Sequence, residues 1–185
     1  PPGVGEPVEL ETADVDRTSF ILEIYFKTQP GANKAVLIQK LGSTAGYSLT
    51  VDGAVTFMAR TDGRDVSLFG NKAVNDGQWH HVLAECDRQS GKMTVYVDGK
   101  MDAESEATVS GSLSNASDFY VGGTPQGECL AGAIDFARVS LGSLAEARTT
   151  IEELYAWQFA GPFLRDFTGA EPVGKRDAGA LEFRP

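Results

Sequence analysis

Two stretches of sequence decide the fold: residues 75–82 (NDGQWHHV) and residues 90–99 (SGKMTVYVDG). Asp-Gly and Ser-Gly pairs mark turns at 76–77, 90–91 and 98–99, because these residue types tolerate the backbone angles of tight turns. Between the turns, apolar and polar residues alternate as they do in a half-buried strand. Residues 80–86 and 93–97 are therefore predicted to be the two strands of one β-hairpin.

The same alternation recurs on both sides of this hairpin. In residues 20–27 every even-numbered position is a large apolar residue, which predicts a strand with one fully apolar face. Further strands are predicted at 8–11, 35–41, 47–51, 54–59, 65–69, 119–123 and 133–141, with a weak one within 101–112. Many short strands separated by turn residues predict an all-β protein, a jelly-roll sandwich of two packed antiparallel sheets.

One short C-terminal helix is predicted after the last strand. Ser143 followed by Glu146 has the spacing of a capping box, and apolar residues recur at helical spacing from Leu144 to Tyr155. We expect this helix to pack across the mouth or the edge of the sheets.

The 185 residues are enough for one well-buried core and favour a single domain. Residues 1–7, rich in proline and glycine, are expected to be a lead-in or linker, residues 8–160 the jelly-roll domain, and residues 161–185 a strap packed on the domain or leading to a neighbouring module. Cys86 and Cys129 leave two alternatives, a buried free thiol at Cys86 or a disulfide between the two.

Charge excludes two classes of partner. The formal net charge is −10, and no cluster of lysine and arginine interrupts the acidic balance, so nucleic acids and anionic membranes would be repelled. No apolar run approaches the roughly 20 residues that a membrane helix needs, which argues against membrane insertion.

Several motifs, in order along the chain, resemble the laminin G-like family. They are the paired stretches quoted above, which match its (N)DGxWHxV and YVDG strands, the first long strand at 19–27, YVGGTP at 120–125, GAIDFARV at 132–139 and the helix ending at Tyr155. The resemblance implies a concanavalin A-like jelly-roll sandwich. The tail at 174–182 resembles the RDxGAxE ending of bacterial secreted proteins, which implies a domain of a larger secreted or surface protein.

The same resemblance implies a calcium site at one rim of the sandwich. Its ligands would be the side chains of Asp65 and Asn115 and the backbone carbonyls of His81 and Leu113, and oxygen ligands of this kind suit a hard cation. The alternative is that these are ordinary solvated turn residues.

No arrangement of residues predicts catalysis. The chain lacks the Glu-x-Asp-x-x-Glu run of the glycanases in this superfamily, and His80 and His81 point to opposite faces of one strand, so they would not ligate one metal. Trp79 is interpreted as filler of one end of the core. Tyr25 and Tyr96 should point outward, where each could stack on a sugar or pack against a neighbouring strand.

The sequence therefore predicts a non-catalytic recognition module of a secreted or surface protein, with a carbohydrate as its ligand and calcium as its candidate cofactor. The alternative is a structural domain that packs against a neighbouring polysaccharide-degrading or β-helix module. A third hypothesis, a glycan lyase or hydrolase, would require two carboxylates or a Tyr/His pair to converge in one groove.

Overall fold

The computed structural model describes residues 13–106 and 108–155, which form a sandwich of two antiparallel sheets. The strands are β1 (Phe20–Thr28), β2 (Ala35–Leu41), β3 (Gly46–Asp52), β4 (Ala54–Thr61), β5 (Arg64–Phe69), β6 (His80–Asp87), β7 (Lys92–Val97), β8 (Lys100–Ser105), β9 (Tyr120–Val121) and β10 (Gly132–Leu141). The first sheet has the order β10-β1-β6-β7-β8 and the second sheet the order β5-β4-β3-β2-β9. The predicted all-β sandwich is confirmed.

The core lies between the inner faces of the two sheets, and period-two alternation supplies it. In β1 the even-numbered side chains from Phe20 to Phe26 are fully buried. The ring of Phe20 packs on those of Tyr47 and Phe57 in the second sheet, at centroid distances of 5.4 and 5.8 Å. Such contacts between sheets bury the apolar face of each strand and leave the outer faces for other roles.

The predicted hairpin is β6 paired with β7, and β8 follows through the turn at Asp98 and Gly99. Both turn residues have positive φ, 51° and 74°, as a tight turn of this kind requires. The weak strand predicted within 101–112 is β8, which begins one residue earlier, and the strand predicted at 119–123 is shorter than expected, since it is only β9.

The helical segment differs from its prediction in length and position. The capping box forms, because the Ser143 N–H donates to the Glu146 carboxylate at 2.8 Å and the Glu146 N–H donates to the Ser143 hydroxyl at 3.2 Å. Arg148, with φ of 53°, then ends the turn. A second capping box, Thr150 with Glu153, starts the helix α1 (Ile151–Tyr155).

This segment lies across the outer face of the first sheet rather than at its mouth or edge. Leu144 and Ile151 join Ile21 and Leu83 in a second apolar cluster outside the main core. The outward positions of β1 and β6 are apolar there, so the segment is needed to cover them. The predicted lead-in at 1–7, the strand at 8–11 and the strap at 161–185 fall outside the described residues. Among the described residues, no helix has the length and apolar character needed to span a bilayer.

Candidate functional site

The outer face of the first sheet carries an open groove of about 430 Å³, here called the Tyr96 groove. Its floor is formed by β6 and β7, one wall by β8, and the opposite wall by the segment at 144–152. The lining residues are Glu85, Asp87, Ser90, Lys92, Thr94, Tyr96, Met101, Glu104, Leu144, Ala145, Thr149, Thr150, Ile151 and Glu152. One of the two tyrosines expected to bind ligand therefore lies in a concave site.

Glu85 joins the floor of the groove to its wall. One carboxylate oxygen accepts the Leu144 N–H at 2.7 Å, and the other lies 3.5 Å from the Tyr96 hydroxyl. Burial raises the pKa of the Glu85 carboxyl above its ordinary value. Burial, followed by the charge of Glu85, raises the pKa of Tyr96 to about 12. Tyr96 therefore stays protonated at neutral pH and keeps a hydroxyl donor.

Replacing Glu85 by glutamine is expected to raise stability at neutral pH, because the amide still accepts the Leu144 N–H but carries no buried charge. The folded-state pKa of Glu85 is raised, so the native state gains stability as pH falls from neutral toward the ordinary carboxyl value of about 4.3. The gain from E85Q should therefore shrink over that range. We expect a midpoint rise of roughly 1–4 °C at pH 7, checked by thermal denaturation at pH 7 and pH 5.

Glu152→Gln is the matched control for this prediction, because Glu152 is an exposed carboxylate in the same wall. It should change the midpoint little at either pH. An E85Q protein less stable than the parent at both pH values would contradict the interpretation of Glu85 as a buried charge held at a cost.

The rest of the groove combines apolar surface with polar groups. Met101, 58% exposed, adds apolar surface at one wall. Lys92 donates to Glu104 at 2.9 Å, and the Ser90 hydroxyl donates to Asp87 at 2.7 Å. An aromatic ring, an aliphatic rim and several hydrogen-bonding groups are what a site needs to bind the apolar face and the hydroxyls of a sugar.

Tyr25, the other tyrosine expected to bind ligand, lies away from this groove. It stands between Trp79, stacked at 5.0 Å, and Phe136, stacked at 6.3 Å, and these three rings form the aromatic row. The Lys27 ammonium lies 5.2 Å from the Trp79 ring. Tyr25 and Tyr96 sit on β1 and β7 with β6 between them, so they do not share one site.

The interpretation of Trp79 as core filler was wrong. The residue precedes β6, so the alternation of the strand does not direct it inward, and it is 38% exposed against Tyr25 on the outer face. Stacking on a neighbouring ring gives it a large contact without a place in the core.

The structure brings Asp65 and Asn115 to the same end of the second sheet, with Arg60 between them. Arg60 donates to both carboxylate oxygens of Asp65, at 2.6 and 2.9 Å, and to the Gly42 carbonyl at 3.1 Å. Gly42 lies directly beside Asn115, since a Cβ on the glycine would be 3.3 Å from the Asn115 Cβ. Arg60, Asp65, Gly42 and Asn115 are called the Arg60 rim.

Two of the expected calcium ligands, the Asn115 amide oxygen and the Leu113 carbonyl, already accept hydrogen bonds. The Asn115 amide nitrogen donates to the Leu113 carbonyl at 3.0 Å, and its amide oxygen accepts the Ser117 N–H at 2.9 Å. The His81 carbonyl accepts the Asp98 N–H at 2.8 Å in the other sheet. These oxygens are used within the protein.

His81 is also distant from the Arg60 rim. Phe20 pairs with Cys86 and its ring contacts Tyr47, so this end of the second sheet faces the Cys86 end of β6. His81 lies five residues back along β6, about 17 Å at the usual rise per residue. The four expected positions therefore do not fit one calcium site, and within residues 13–106 and 108–155 no group of three or more His, Cys, Asp or Glu side chains is placed to hold a metal.

Asp98 connects the turn after β7 to the start of β6. Its carboxylate accepts the His81 N–H at 2.9 Å and the Lys72 ammonium at 2.5 Å, and lies 2.9 Å from His80 Nδ1. The other nitrogen of His80 lies 3.1 Å from Asp76. The sequence assigned Asp98 to turn geometry alone, and these contacts give it a second role.

His81 has different partners on the outer face. Its Nε2 lies 2.7 Å from Glu23, and Arg138 donates to the second carboxylate oxygen of Glu23. Glu23 and His81 are both fully buried. The two adjacent histidines thus belong to separate hydrogen-bond networks, as expected from their opposite faces.

The disulfide alternative is excluded, because both cysteines are free. Cys86 is buried on the inner face of β6, and burial raises its pKa to about 11. Cys129 is exposed. The interpretation of Cys86 as a small buried thiol is confirmed.

Sequence reasoning missed most of the groove. Glu85 could have been found, because it shares the outward positions of a predicted strand with Leu83 and is a carboxylate in an otherwise apolar stretch. Met101 and Glu104 carried no signal, since they lie in the segment with the weakest alternation. The wall at 144–152 depends on a contact between residues about 60 positions apart, which no local pattern predicts.

Comparison with solved structures shows the same fold at low identity. The Limulus polyphemus SAP-like pentraxin gives a TM-score of 0.56 at 16% identity, covering 77% of this chain and 70% of its own. The CBM40 of the Ruminococcus gnavus IT-sialidase, bound to α2,3-sialyllactose, gives a TM-score of 0.54 at 18% identity, and the match covers 72% of this chain and 81% of the CBM40. Domains LG4-5 of the mouse laminin α1 chain give 0.56 at 21%, covering 73% of this chain and 39% of the laminin fragment.

Sequence comparison places the chain more closely. A search of curated protein sequences found no significant match. The laminin G-like profile of the concanavalin A-like lectin/glucanases superfamily matches residues 2–148, which include all ten strands. The motifs quoted from the sequence, the two five-stranded sheets and this match agree, and the chain belongs to the laminin G-like family of the concanavalin A-like lectin/glucanases superfamily.

Proposed function

We propose that this domain is a non-catalytic recognition module that binds carbohydrate in the Tyr96 groove, as part of a secreted or surface protein. The observation that carries the proposal is the groove itself: a concave space of about 430 Å³ with a half-buried aromatic ring on its floor and polar groups on both sides. This volume lies within the usual range of about 300–1,000 Å³ for small-molecule sites.

Tyr96 has the role of the stacking residue. Its ring is held from one side by the second apolar cluster, and its hydroxyl is held near Glu85. A ring fixed in this way loses little conformational entropy when a ligand packs on it. Lys92, Thr94 and Glu104 surround it with one cation, one hydroxyl and one carboxylate, which are suitable partners for sugar hydroxyls.

Charge indicates which glycans the groove accepts. Four carboxylates line it, from Glu85, Asp87, Glu104 and Glu152, against one ammonium from Lys92. The whole chain carries a net charge of −10. Uronates, sulfated sugars and sialic acids would be repelled, whereas neutral sugars and amino sugars would not. The R. gnavus CBM40, which shares this fold, is bound to α2,3-sialyllactose, and this supports carbohydrate recognition by the present domain but not the same ligand.

Two glutamates of the groove, Glu85 and Glu104, already have hydrogen-bond partners. Glu104 is paired with Lys92 at 2.9 Å, and Glu85 accepts the Leu144 N–H at 2.7 Å. A glycosidase needs one carboxyl as a free acid and the other as a nucleophile or base, aligned across the bond to be broken. These partners favour binding over hydrolysis.

The test is binding of a panel of neutral, amino and acidic oligosaccharides, with and without calcium. Tyr96→Ala is expected to weaken binding of the best neutral or amino sugar by about tenfold, corresponding to roughly 1.4 kcal/mol of lost stacking. Tyr96→Phe should bind nearly as well as the parent. Isothermal titration calorimetry measures both, and circular dichroism confirms that each variant is folded.

Tyr25→Ala is the matched control, since Tyr25 is the outward tyrosine of the aromatic row on the same sheet. It should leave affinity unchanged. A loss of affinity in Y25A with no loss in Y96A would indicate that the sugar binds at the aromatic row. Release of new reducing ends from an oligosaccharide would support the hydrolase hypothesis instead. If no sugar binds under any condition, the carbohydrate proposal is wrong and the alternative, a structural domain that packs against a neighbouring module, is favoured.

A further inference from the structure

The Arg60 rim holds a cation that belongs to the chain. Asp65, which the family resemblance made a calcium ligand, directs both carboxylate oxygens at the Arg60 guanidinium, at 2.6 and 2.9 Å. This two-point contact is the strongest form of an arginine–carboxylate pair. Hydrogen bonding from Arg60 holds the pKa of Asp65 below its ordinary value. The carboxylate is therefore charged and paired at neutral pH.

Strand pairing fixes Arg60 in this position. In β4 it is the register partner of Asp65 in β5 on one side and of Gly46 in β3 on the other. Its third contact, to the Gly42 carbonyl at 3.1 Å, reaches the loop between β2 and β3. The guanidinium thus connects the end of β4 with β5 and with the loop after β2, as a cation bound at this rim would do.

The bridge continues from this loop to Asn115. A Cβ on Gly46 would lie 3.0 Å from the Asn115 amide nitrogen and 2.2 Å from the Lys40 carbonyl, and Gly46 has a φ of 136°. Only glycine fits so close an approach of two backbones. The loop at 42–46 is therefore packed between Arg60 and the segment that carries Asn115.

A second cation lies on the far side of Asn115. Lys40 is 7% exposed, and its ammonium donates to the Ser117 carbonyl at 2.7 Å. The Ser117 N–H in turn donates to the Asn115 amide oxygen at 2.9 Å. Oxygens that would coordinate a metal at this rim are thus bound to nitrogen donors on both sides.

We propose that Arg60 takes the place of calcium at this rim, so that the domain assembles the rim without a metal ion. A divalent cation at Asp65 would have to displace a guanidinium that makes three hydrogen bonds, and it would be repelled by that guanidinium and by Lys40. The inference concerns the rim alone and does not depend on carbohydrate binding in the Tyr96 groove.

The test compares melting temperatures in millimolar calcium and in EDTA for the parent and three variants. The parent should melt within about 1 °C of the same temperature in both. Arg60→Gln should melt at least several degrees lower in EDTA and recover part of that loss in calcium, because Asp65 and the Gly42 carbonyl become available to the ion. Arg60→Lys, which keeps the charge, should remain insensitive to calcium. Arg60→Gln with Asp65→Asn should lose the calcium response.

Lys34→Gln is the control for loss of an ordinary surface ion pair, since Lys34 contacts Glu128 at 2.9 Å with both side chains about half exposed. It should change the midpoint little and show no calcium response. Titration calorimetry provides the second readout. R60Q is expected to bind calcium at least tenfold more tightly than the parent does. A parent that binds or is stabilised by calcium would overturn the proposal. So would an R60Q protein that resembles K34Q, or one that melts identically in calcium and EDTA.

Discussion

Replacing Asp98 by alanine is expected to lower the free energy of unfolding by about 3 kcal/mol, and the melting midpoint by roughly 6–12 °C. The substitution removes the acceptor of the His81 N–H, in a residue that is fully buried, and the carboxylate shared by Lys72 and His80. An unsatisfied buried N–H is costly, and so is the loss of the carboxylate that the Lys72 ammonium and the His80 ring share. Urea denaturation at pH 7 measures the loss.

The loss should depend on pH. Burial alone would raise the pKa of Asp98, but hydrogen bonds from Lys72, His80 and the His81 N–H outweigh it and hold the pKa below its ordinary value. A carboxyl with a depressed folded-state pKa stabilises above its unfolded value of about 3.9, and this contribution is lost as pH falls through the folded value. The contribution of the Asp98 carboxylate should therefore be fully present above about pH 4, and the difference between parent and D98A should narrow below it.

Asp62→Ala separates these contacts from backbone strain. Asp62 has a φ of 50°, against 51° for Asp98, and each is followed by a glycine in a tight turn. Asp62 is exposed, so D62A imposes the same strain on alanine without the buried contacts. D62A should lower the free energy of unfolding by about 1 kcal/mol or less. Equal losses in D62A and D98A would mean that strain alone explains the effect.

Replacing Glu23 by leucine is expected to lower the free energy of unfolding by about 4 kcal/mol. The substitution leaves His81 and Arg138, on the outer face of the first sheet, without the carboxylate that lies between them. Glu23 and His81 are fully buried. Removing one partner of a buried, hydrogen-bonded charge typically lowers the free energy of unfolding by about 3–5 kcal/mol, whereas replacing both partners by apolar residues costs much less. The double variant E23L/H81L should therefore be more stable than E23L alone.

Chemical denaturation of the two single variants and the double variant gives the coupling between Glu23 and His81. Glu104→Gln is the control, since the Glu104–Lys92 pair has a similar length of 2.9 Å but side chains 33% and 38% exposed. It should cost less than about 1 kcal/mol. Losses that simply add in the double variant would rule out the coupled pair.

The fold was predictable because each strand carries its own signal. Alternation in residues 20–27 and the turn at Asp98 and Gly99 are local patterns, and they identify strands whatever their partners are. The helical segment was less predictable because two capping boxes compete within a few residues. The first, at Ser143, makes only one turn before Arg148 adopts positive φ, and the second, at Thr150, starts α1.

The Arg60–Asp65 pair was also predictable, although the sequence analysis missed it. The turn at Asp62 and Gly63 is a two-residue hairpin, so Thr61 pairs with Arg64 and the next residues outward, Arg60 and Asp65, must face each other. An arginine opposite an aspartate across such a turn indicates an ion pair before it indicates a metal ligand. The Tyr96 groove had no comparable signal, because it depends on which distant segment covers the sheet.

The segment at 143–155, which forms one wall of the Tyr96 groove, has a further consequence for how such domains diversify. Two capping boxes within the segment hold its shape locally, while the Leu144 N–H and a few apolar contacts attach it to the sheet. Substitutions at Ala145, Thr149 or Glu152 would reshape the wall while leaving every strand pairing intact. Selection could then exchange one ligand preference for another without a loss of folding stability, as happens in immunoglobulins through their loops.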